Sequence, residues 1–464
     1  MNMSEKAPNI LFIVTDDQRY DTINALGNEE IITPNFDRLV SEGTSFLNAY
    51  IPCGLTGAVC MPSRAMIHTG KGLYGLQGNG EDIPCQDTLL GEHLIRHGYH
   101  AFGTGKWHNG PSSYTRSFTE GDNAFFSGMW DHWNVPVCKH DPTGEYDNVI
   151  NFVMDFYNAK DVTKIYCDSF NPGIHSSNLL ADTTIQFLEN YEGTAPFFCY
   201  TAFLAPHDPR TMPQEFHNMY DGRKVSVPAN FLPEYPVSYG DGRIRDEMLA
   251  PYPRTPERII AELTDYYAMI THVDHEIGRI LDVLRKKGLY EDTLIIFCSD
   301  NGLGLGSHAF MGKQNHFEHS IKVPLIFAGS GIPRGRTVTA NVYLHDIYPT
   351  LCELLGLDIP ASVEGRSFLK CFSTNVQHRE ELYYSYGSTI RSIRSGDYKL
   401  MEYIGLNGER SSLLYDIAHD SMELHDLFAP DEPLVAELRT RLLVVREQEG
   451  DVNRPESRMF WERY

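Results

Sequence analysis

The sequence has few basic residues for its acidic content. Across 464 residues, Lys and Arg number 39 against 62 Asp and Glu, which gives a formal net charge of −23 at pH 7. Nucleic acids and anionic membrane surfaces bind proteins through cationic side chains, so we expect neither of them as a partner. An anionic small-molecule substrate would need a local group of cations within an otherwise acidic surface.

Long hydrophobic runs are also lacking. The first apolar run, Ile10–Val14, has only five residues and follows a start that carries Glu5 and Lys6. This run is too short for the apolar core of a signal peptide, and a membrane-spanning helix needs about 20 apolar residues. We therefore expect a cytoplasmic protein that does not associate with a membrane.

Cysteine motifs are absent as well. The nine cysteines form neither a CxxC pair nor a Cys/His cluster with zinc-site spacing. Their odd number argues against a complete disulfide framework. We expect most of them to be buried, reduced thiols that pack as small apolar side chains.

What is present predicts an α/β fold. Hydrophobic residues make up 42% of the chain and charged residues 22%, a composition typical of globular proteins. The apolar runs Asn9–Thr15, Phe197–Phe203 and Thr293–Cys298 are typical of strands buried on both faces of a parallel sheet. Pro256–Lys287 has the apolar stripe of a long helix, and Thr33–Glu42 has the pattern of a shorter one. Together they predict a large, mixed but mostly parallel sheet flanked by helices.

The pattern of predicted secondary structure changes near residue 375. Short strand-like segments follow, and Glu432–Gln448 then has a helical pattern. We predict a catalytic α/β domain over 1–375 and a subdomain over 376–464 with a small antiparallel sheet and a terminal helix. The segment 205–256 is too long for an ordinary connection, so we expect a functional loop over the site. Within it, we expect Arg243–Glu247 to form a solvated charged surface.

Polar residues follow all three apolar runs. Asp16 and Asp17 come after the first run, His207 after the second, and Asp300 and Asn301 after the third. Ligands of open α/β sheets bind at the carboxyl ends of the strands, so we expect these side chains to share one site. Asp and Asn are also common turn formers. Two such pairs, each directly after a buried strand, favour a hard divalent cation bound by oxygen ligands.

Two motifs add reactive side chains. Residues 60–64 read Cys-Met-Pro-Ser-Arg, and residues 105–108 read Gly-Lys-Trp-His. With the opening PNILFIVTDDQRYD, the APHDP segment around His207, the SDNG segment around Asp300, and Gly312-Lys313, they resemble the formylglycine-dependent sulfatases of the alkaline-phosphatase-like superfamily. The resemblance covers nearly all of the chain.

The resemblance implies a chemistry and a set of site residues. Cys60 would be oxidised after synthesis to formylglycine, whose hydrated aldehyde attacks a sulfate ester and gives a sulfo-enzyme intermediate. The implied metal is Ca²⁺, with Mg²⁺ less favoured. Its implied ligands are Asp16, Asp17, Cys60, Asp300 and Asn301. The implied catalytic residues are Cys60, Arg64, Lys106, His108, His207, His308 and Lys313.

The expected substrate is a small anionic sulfate ester, with carbohydrate sulfates first and aryl sulfates second. We expect a formylglycine-generating or sulfatase-maturing enzyme as a partner, and a homo-oligomer is compatible with the sequence. The leaving-group acid is assigned to His207, with His308 as the alternative. Two other functions stay open: a phosphonate monoester or phosphodiester hydrolase on the same fold, and an inactive carbohydrate-binding homologue.

Overall fold

The computed structural model describes residues 7–153, 157, 158, 160, 162–237 and 244–464. Its strands are β1 (Asn9–Thr15), β2 (Gly43–Phe46), β3 (Ala49–Tyr50), β4 (Cys53–Gly54), β5 (His100–Lys106), β6 (Glu120–Phe125), β7 (Pro136–Val137), β8 (Val149–Val153), β9 (Val162–Tyr166), β10 (Ser169–Phe170), β11 (Phe197–Ala202), β12 (Thr293–Ser299), β13 (Lys322–Val323), β14 (Leu325–Gly329), β15 (Arg336–Val338), β16 (Val342–Tyr343), β17 (Glu381–Tyr386), β18 (Ile390–Ser395), β19 (Tyr398–Ile404) and β20 (Arg410–Asp416). Its helices are α1 (Pro34–Glu42), α2 (Cys60–Thr69), α3 (Leu90–Arg96), α4 (Pro111–Ser117), α5 (Ser176–Asn190), α6 (Gln214–Asn218), α7 (Pro256–Lys286), α8 (Glu318–Ile321), α9 (Ile347–Leu355), α10 (Pro433–Glu449) and α11 (Pro455–Trp461).

A large central sheet organises the described residues, in the order β15-β2-β14-β12-β1-β11-β5-β6. Most neighbouring strands are parallel, whereas β14 runs antiparallel to both of its neighbours. Alternate side chains of β1 enter two hydrophobic cores: Ile10, Phe12 and Val14 lie in one, and Leu11 and Ile13 lie in the other. Because the sheet is covered on both faces, its central strands β1, β11 and β12 are largely apolar. The predicted α/β fold class is confirmed.

Helix α7 shows why the helical patterns could be located. The Thr255 hydroxyl accepts a hydrogen bond from the Arg258 amide at 3.3 Å. Pro256 takes the first helical position, where a missing N–H costs no hydrogen bond. The helix ends at Lys286, one residue before the predicted end, and Gly288 has a φ of +70°, in the left-handed region that glycine favours after a helix.

The smaller sheet near the C-terminus has the order β20-β19-β18-β17-β4. Antiparallel pairing joins β17 to β20 in sequence, as predicted, and α10 packs on this sheet through Leu438 and Leu442. Strand β4 was not predicted. It pairs in parallel with β17, and the amides of Ser385 and Gly387 donate to the carbonyls of Pro52 and Gly54 at 3.0 and 3.2 Å. The division of the chain at residue 375 stays a prediction.

Two other expectations concern helices and cysteines. None of the helices in the described part of the chain combines the length and the apolar character that crossing a membrane requires. All nine cysteines lie in described ranges without a disulfide, and all but Cys85 are buried. The prediction of buried, reduced thiols is confirmed.

Candidate active site

The carboxyl ends of three adjacent parallel strands bring the predicted acidic residues together. The order β12-β1-β11 places the residues after these strands at one edge of the sheet. The Asp17 amide donates to Asp300 Oδ1 at 3.2 Å, and Asn301 Nδ2 donates to Asp17 Oδ1 at 2.6 Å. Asp17 has a φ of +66°, a strained conformation for a residue other than glycine and one that concentrates at functional sites. The predicted convergence of these strand ends is therefore present.

Buried cations lie against these carboxylates. Lys106 Nζ, at the end of β5, donates to Asp16 Oδ2. Arg64 Nε donates to Asp300 Oδ2 at 2.7 Å, and Lys313 Nζ donates to Asp17 Oδ1 at 2.5 Å. Each of these three cationic side chains is at most 3% exposed. Three carboxylates therefore face three cations in a region from which water is largely excluded.

A close backbone contact explains why the first residue of the Gly-Lys-Trp-His motif is glycine. Gly105 has a φ of +89°, and a Cβ added there would lie 1.9 Å from the Ala202 carbonyl oxygen on the neighbouring strand β11. No larger residue fits without moving the strand. The close approach of β5 to β11 helps to hold Lys106 at the edge of the sheet.

The acidic group fits a hard divalent cation. Among the described residues, Asp16 Oδ1 and Asn301 Oδ1 are buried without a hydrogen-bond partner. One donor atom each from Asp16, Cys60 and Asp300 lie within 4.8 Å of one another. Burial, followed by the charge of Asp16, raises the pKa of Asp300. A divalent cation would bind the two free oxygens and offset the repulsion between the carboxylates of Asp16 and Asp300. Oxygen donors suit Ca²⁺ or Mg²⁺.

Cys60 begins helix α2 and faces the same region. Its Sγ lies 3.4 Å from His108 Nδ1 and 3.5 Å from Lys106 Nζ. Burial raises the pKa of the Cys60 thiol despite the nearby Lys106 and Lys313. A thiol held in its neutral form is a poor nucleophile, so the position needs another chemistry to be reactive.

The two imidazoles nearest Cys60 and Asp17 lie in different environments. Burial and the charges of Lys106 and Arg64 hold the pKa of His108 well below its usual value, which keeps this ring neutral. His207 directs Nδ1 to the Asp208 carbonyl oxygen at 2.9 Å, and its Nε2 lies 3.7 Å from Asp17 Oδ2. Both rings line the same cavity.

His308 is not brought into this group. Its Nε2 donates to the Glu423 carbonyl at 2.9 Å, and its ring stacks on Phe317 with 3.8 Å between centroids. Burial lowers the pKa of His308 to about 4. His308 is not among the described residues that line the cavity with Cys60 and His207. The geometry therefore favours His207 over His308 for contact with a bound substrate.

A cavity of about 460 Å³ opens above Cys60. Its described lining consists of Gly57, Ala58, Cys60, His108, Gly128, Met129, His207, Ile244, Arg245, Asp246, Lys313, Gln314 and Tyr386. The long segment 205–256 contributes to this wall, as expected from its length. Two of its polar members pair with each other, because Gln314 Nε2 donates to Asp246 Oδ2 at 2.7 Å. The wall therefore offers a ligand hydrogen-bonding groups that are already held in position.

The expected solvated surface at Arg243–Glu247 is confirmed for Arg245, whose side chain is 43% exposed, and is wrong for Asp246 and Glu247, which are buried. Arg245 donates to both carboxylate oxygens of Asp208, at 2.5 and 2.9 Å, and lies 2.7 Å from Asp246 Oδ1. Glu247 is buried and accepts the amides of residues 311 and 312 at 3.0 and 2.9 Å. Arg243 lies outside the described residues. Charge alone suggested solvent, whereas these carboxylates have partners from distant segments that no local pattern reveals.

Comparison with known proteins agrees with this geometry. A family model described as Sulfatase matches residues 8–357. The chain belongs to the sulfatase family. A second model, for the C-terminal region of N-sulphoglucosamine sulphohydrolase, matches residues 306–448. This sulfatase is therefore a sulfuric ester hydrolase, as predicted.

Individual relatives cover most of the sulfatase. A sulfatase of Formosa agariphila is 29% identical over 90% of this chain and 82% of its own length. An N-acetylglucosamine-6-O-sulfatase of Bacteroides thetaiotaomicron is 27% identical over 92% of this chain and 84% of its own length. A solved structure in complex with its substrate D-glucosamine-2-N,6-O-disulfate has a TM-score of 0.77 at 24% identity, covering 97% of this chain and 99% of that one. The last comparison supports the alkaline-phosphatase-like fold.

Proposed function

We propose that this sulfatase hydrolyses the sulfate ester of a small carbohydrate. The observation that carries the proposal is that three buried cationic side chains and an oxygen-rich metal site lie beside Cys60, which lines the cavity together with Lys313. Positive charge that is already in place around the transferring group typically contributes more to the catalysis of such reactions than any other single effect. The geometry therefore suits the hydrolysis of an anionic ester.

The charge balance supports an anionic substrate. The carboxylates of Asp16, Asp17 and Asp300 offset the cations of Arg64, Lys106 and Lys313, as the contacts above show. One divalent cation would leave the group with an excess of about two positive charges, which favours an anion over neutral solvent. The low polarity of the surroundings strengthens that attraction.

The residues that would hold the metal are Asp16, Asp17, Asp300 and Asn301, with the group at position 60 beside them. We propose Ca²⁺ because the donors are hard oxygens. When bound, the ion would neutralise sulfate charge and make a coordinated hydroxyl more acidic. Formylglycine, once formed from Cys60 by a maturing enzyme, would supply a hydrated aldehyde as the nucleophile.

The side chains of this chain supply binding and proton transfer. Lys106 and Lys313 would bind sulfate oxygens, and Arg64 holds Asp300 in place. Neutral His108 lies within reach of position 60 and can accept a proton there. His207 has Nδ1 fixed on Asp208, which leaves Nε2 to deliver a proton to the leaving oxygen.

The cavity wall favours a sugar over an aryl group. Asp246, Arg245 and Gln314 offer hydrogen-bonding groups suited to hydroxyls. Apart from the two histidines, Tyr386 is the aromatic residue among the described residues that line the cavity. The relative from Bacteroides thetaiotaomicron is an N-acetylglucosamine-6-O-sulfatase, and the solved complex holds a sulfated glucosamine. A cavity of this size suits a small ligand. A cytoplasmic location, which stays a prediction, would favour short imported oligosaccharides.

The test is a substrate panel with purified, calcium-supplemented protein. Sulfated glucosamine mono- and disaccharides should release sulfate faster than nitrophenyl sulfate, and a phenylphosphonate monoester should react slowly. The Cys60→Ala variant is the matched control and should be inactive on every substrate. Preferential turnover of the phosphonate ester would favour the phosphonate monoester hydrolase. Sugar binding without turnover, in protein whose Cys60 is converted, would favour a binding homologue.

A further inference from the structure

A second cluster of metal-ligating side chains lies near the amino-terminal end of strand β5, whereas the cavity lies near the carboxyl-terminal end of that strand. His93 is in α3, and His97 follows directly after that helix. Their rings are 4.5 Å apart between centroids, and Asp358 reaches them from the segment after α9. His97 lies three residues before β5, whose far end carries Lys106. A strand of this length spans about 20 Å, so the cluster is separate from the cavity.

The His97 ring is oriented for a metal ion. Its Nδ1–H donates to the His93 carbonyl at 2.9 Å, which leaves the lone pair on Nε2. That Nε2 lies 3.4 Å from Asp358 Oδ1. Donor atoms around a tetrahedral ion at about 2.0–2.1 Å lie about 3.3 Å from one another. The observed separation therefore matches an edge of such a coordination shell.

His93 supplies the third donor. The residue is 4% exposed, and its Nε2 lies 2.9 Å from the Asp358 carbonyl oxygen. One donor atom from each of His93, His97 and Asp358 lie within 4.8 Å of one another. Burial, followed by the proximity of His97, lowers the pKa of His93. A neutral imidazole is the form that binds metal. An ion on Nε2 would take the place of its proton, and the Asp358 carbonyl oxygen would have to move away, because 2.9 Å leaves no room for an ion between the two atoms.

We propose that His93, His97 and Asp358 form a binding site for Zn²⁺ or a similar transition-metal ion. Two imidazoles and one carboxylate are typical zinc ligands, whereas Ca²⁺ prefers oxygen donors throughout. The ion would join the end of α3 to the segment after α9. It would stabilise the fold and take no part in sulfate ester hydrolysis.

The experiment titrates purified protein, saturated with Ca²⁺, with Co²⁺ as the spectroscopic probe and Zn²⁺ as the ligand. Visible absorption of Co²⁺ should report one site with nitrogen ligands, and Zn²⁺ should displace it and raise the melting temperature. Loss of a mere outer partner of a metal ligand typically weakens affinity about 10–100-fold. His97→Ala should therefore weaken Co²⁺ binding by more than about tenfold and remove the Zn²⁺-dependent rise in melting temperature. Asp358→Asn should act in the same direction.

The matched control is His100→Ala, which removes another histidine paired with a carboxylate, Glu120, at 2.9 Å. It should bind Co²⁺ as the unaltered protein does. His97 and Asp358 are partly exposed, at 32% and 78% of their side chains, so their variants are expected to fold. Equal Co²⁺ affinity in His97→Ala and the unaltered protein would overturn the proposal. So would the absence of any Co²⁺ spectrum in calcium-saturated protein.

Discussion

Replacing His207 by alanine should slow hydrolysis of a sugar sulfate far more than hydrolysis of nitrophenyl sulfate. The His207 ring is held through Nδ1 on Asp208, and its Nε2 is near Asp17 in the cavity. A sugar hydroxyl leaves as a strongly basic alkoxide and needs a proton as its bond to sulfur breaks. Nitrophenolate is a stable anion and leaves almost unaided.

The expected magnitude follows from the role of a single proton donor. General acid catalysis typically contributes about 10²–10⁴-fold. Each factor of ten corresponds to about 1.36 kcal/mol of activation free energy, so the loss on a sugar sulfate should be about 3–5 kcal/mol. On nitrophenyl sulfate we expect less than about a tenfold loss, because the remaining cations and the nucleophile are untouched.

The assay compares kcat for the two substrates in unaltered protein, His207→Ala and His207→Gln, with Ca²⁺ saturating. Glutamine retains a hydrogen bond but cannot transfer a proton, so it should behave as alanine does. His308→Ala is the matched control, because His308 is also buried but points to Glu423. It should alter both substrates by the same factor. Equal losses on both substrates in His207→Ala, with a selective loss in His308→Ala, would refute the assignment.

Four further outcomes can be measured. Cys60→Ala should fold and lose turnover, while active protein should show an aldehyde at position 60 by peptide mass spectrometry; full activity in the variant would contradict the proposal. Chelation should remove activity and Ca²⁺ should restore it, whereas active protein free of both calcium and magnesium by elemental analysis would contradict a hard-cation site. Asp246→Asn should raise KM for a sugar sulfate about 2- to 10-fold, the value of one hydrogen bond, with nitrophenyl sulfate unchanged as the control. Burial, then the charge of Arg64, lowers the pKa of His68 to about 3. Below about pH 6.5 the unfolded chain therefore binds a proton at His68 that the folded protein does not, and the free energy of unfolding falls by about 1.4 kcal/mol for each unit by which the pH decreases. His68→Phe should lose less stability than unaltered protein between about pH 7.5 and 5.5 in urea unfolding, and equal losses would contradict that reasoning.

Sequence was sufficient for the elements whose signals are local. The apolar run at Asn9–Thr15 follows from burial on both faces of the sheet, and Pro256 with Gly288 marks the limits of α7. The grouping of Asp16 and Asp300 followed from a general property of parallel sheets, because strand ends share an edge. These predictions needed no knowledge of which strands are neighbours.

Long-range partners could not be predicted in this way. Local pattern places Glu247 at the surface, because the two amides that it accepts lie 64 and 65 positions away along the chain. His308 has the same chemical character as His207, and its contacts with Phe317 and the distant Glu423 carbonyl distinguish the two histidines. Strand β4 has two residues, which is too short to produce an alternating pattern. Each failure concerns a contact whose other half lies in another segment.

Strand β4 also determines how the C-terminal sheet relates to the chemistry. The chain leaves β4 at Gly54 and enters α2 at Cys60 six residues later, while Tyr386, at the end of β17, lines the cavity. A chain cut after residue 375 would leave β4 without its partner strand and remove part of the substrate wall. We expect the two regions to melt in a single cooperative transition. Mutations that loosen the C-terminal sheet should therefore lower activity at the nucleophile without touching it.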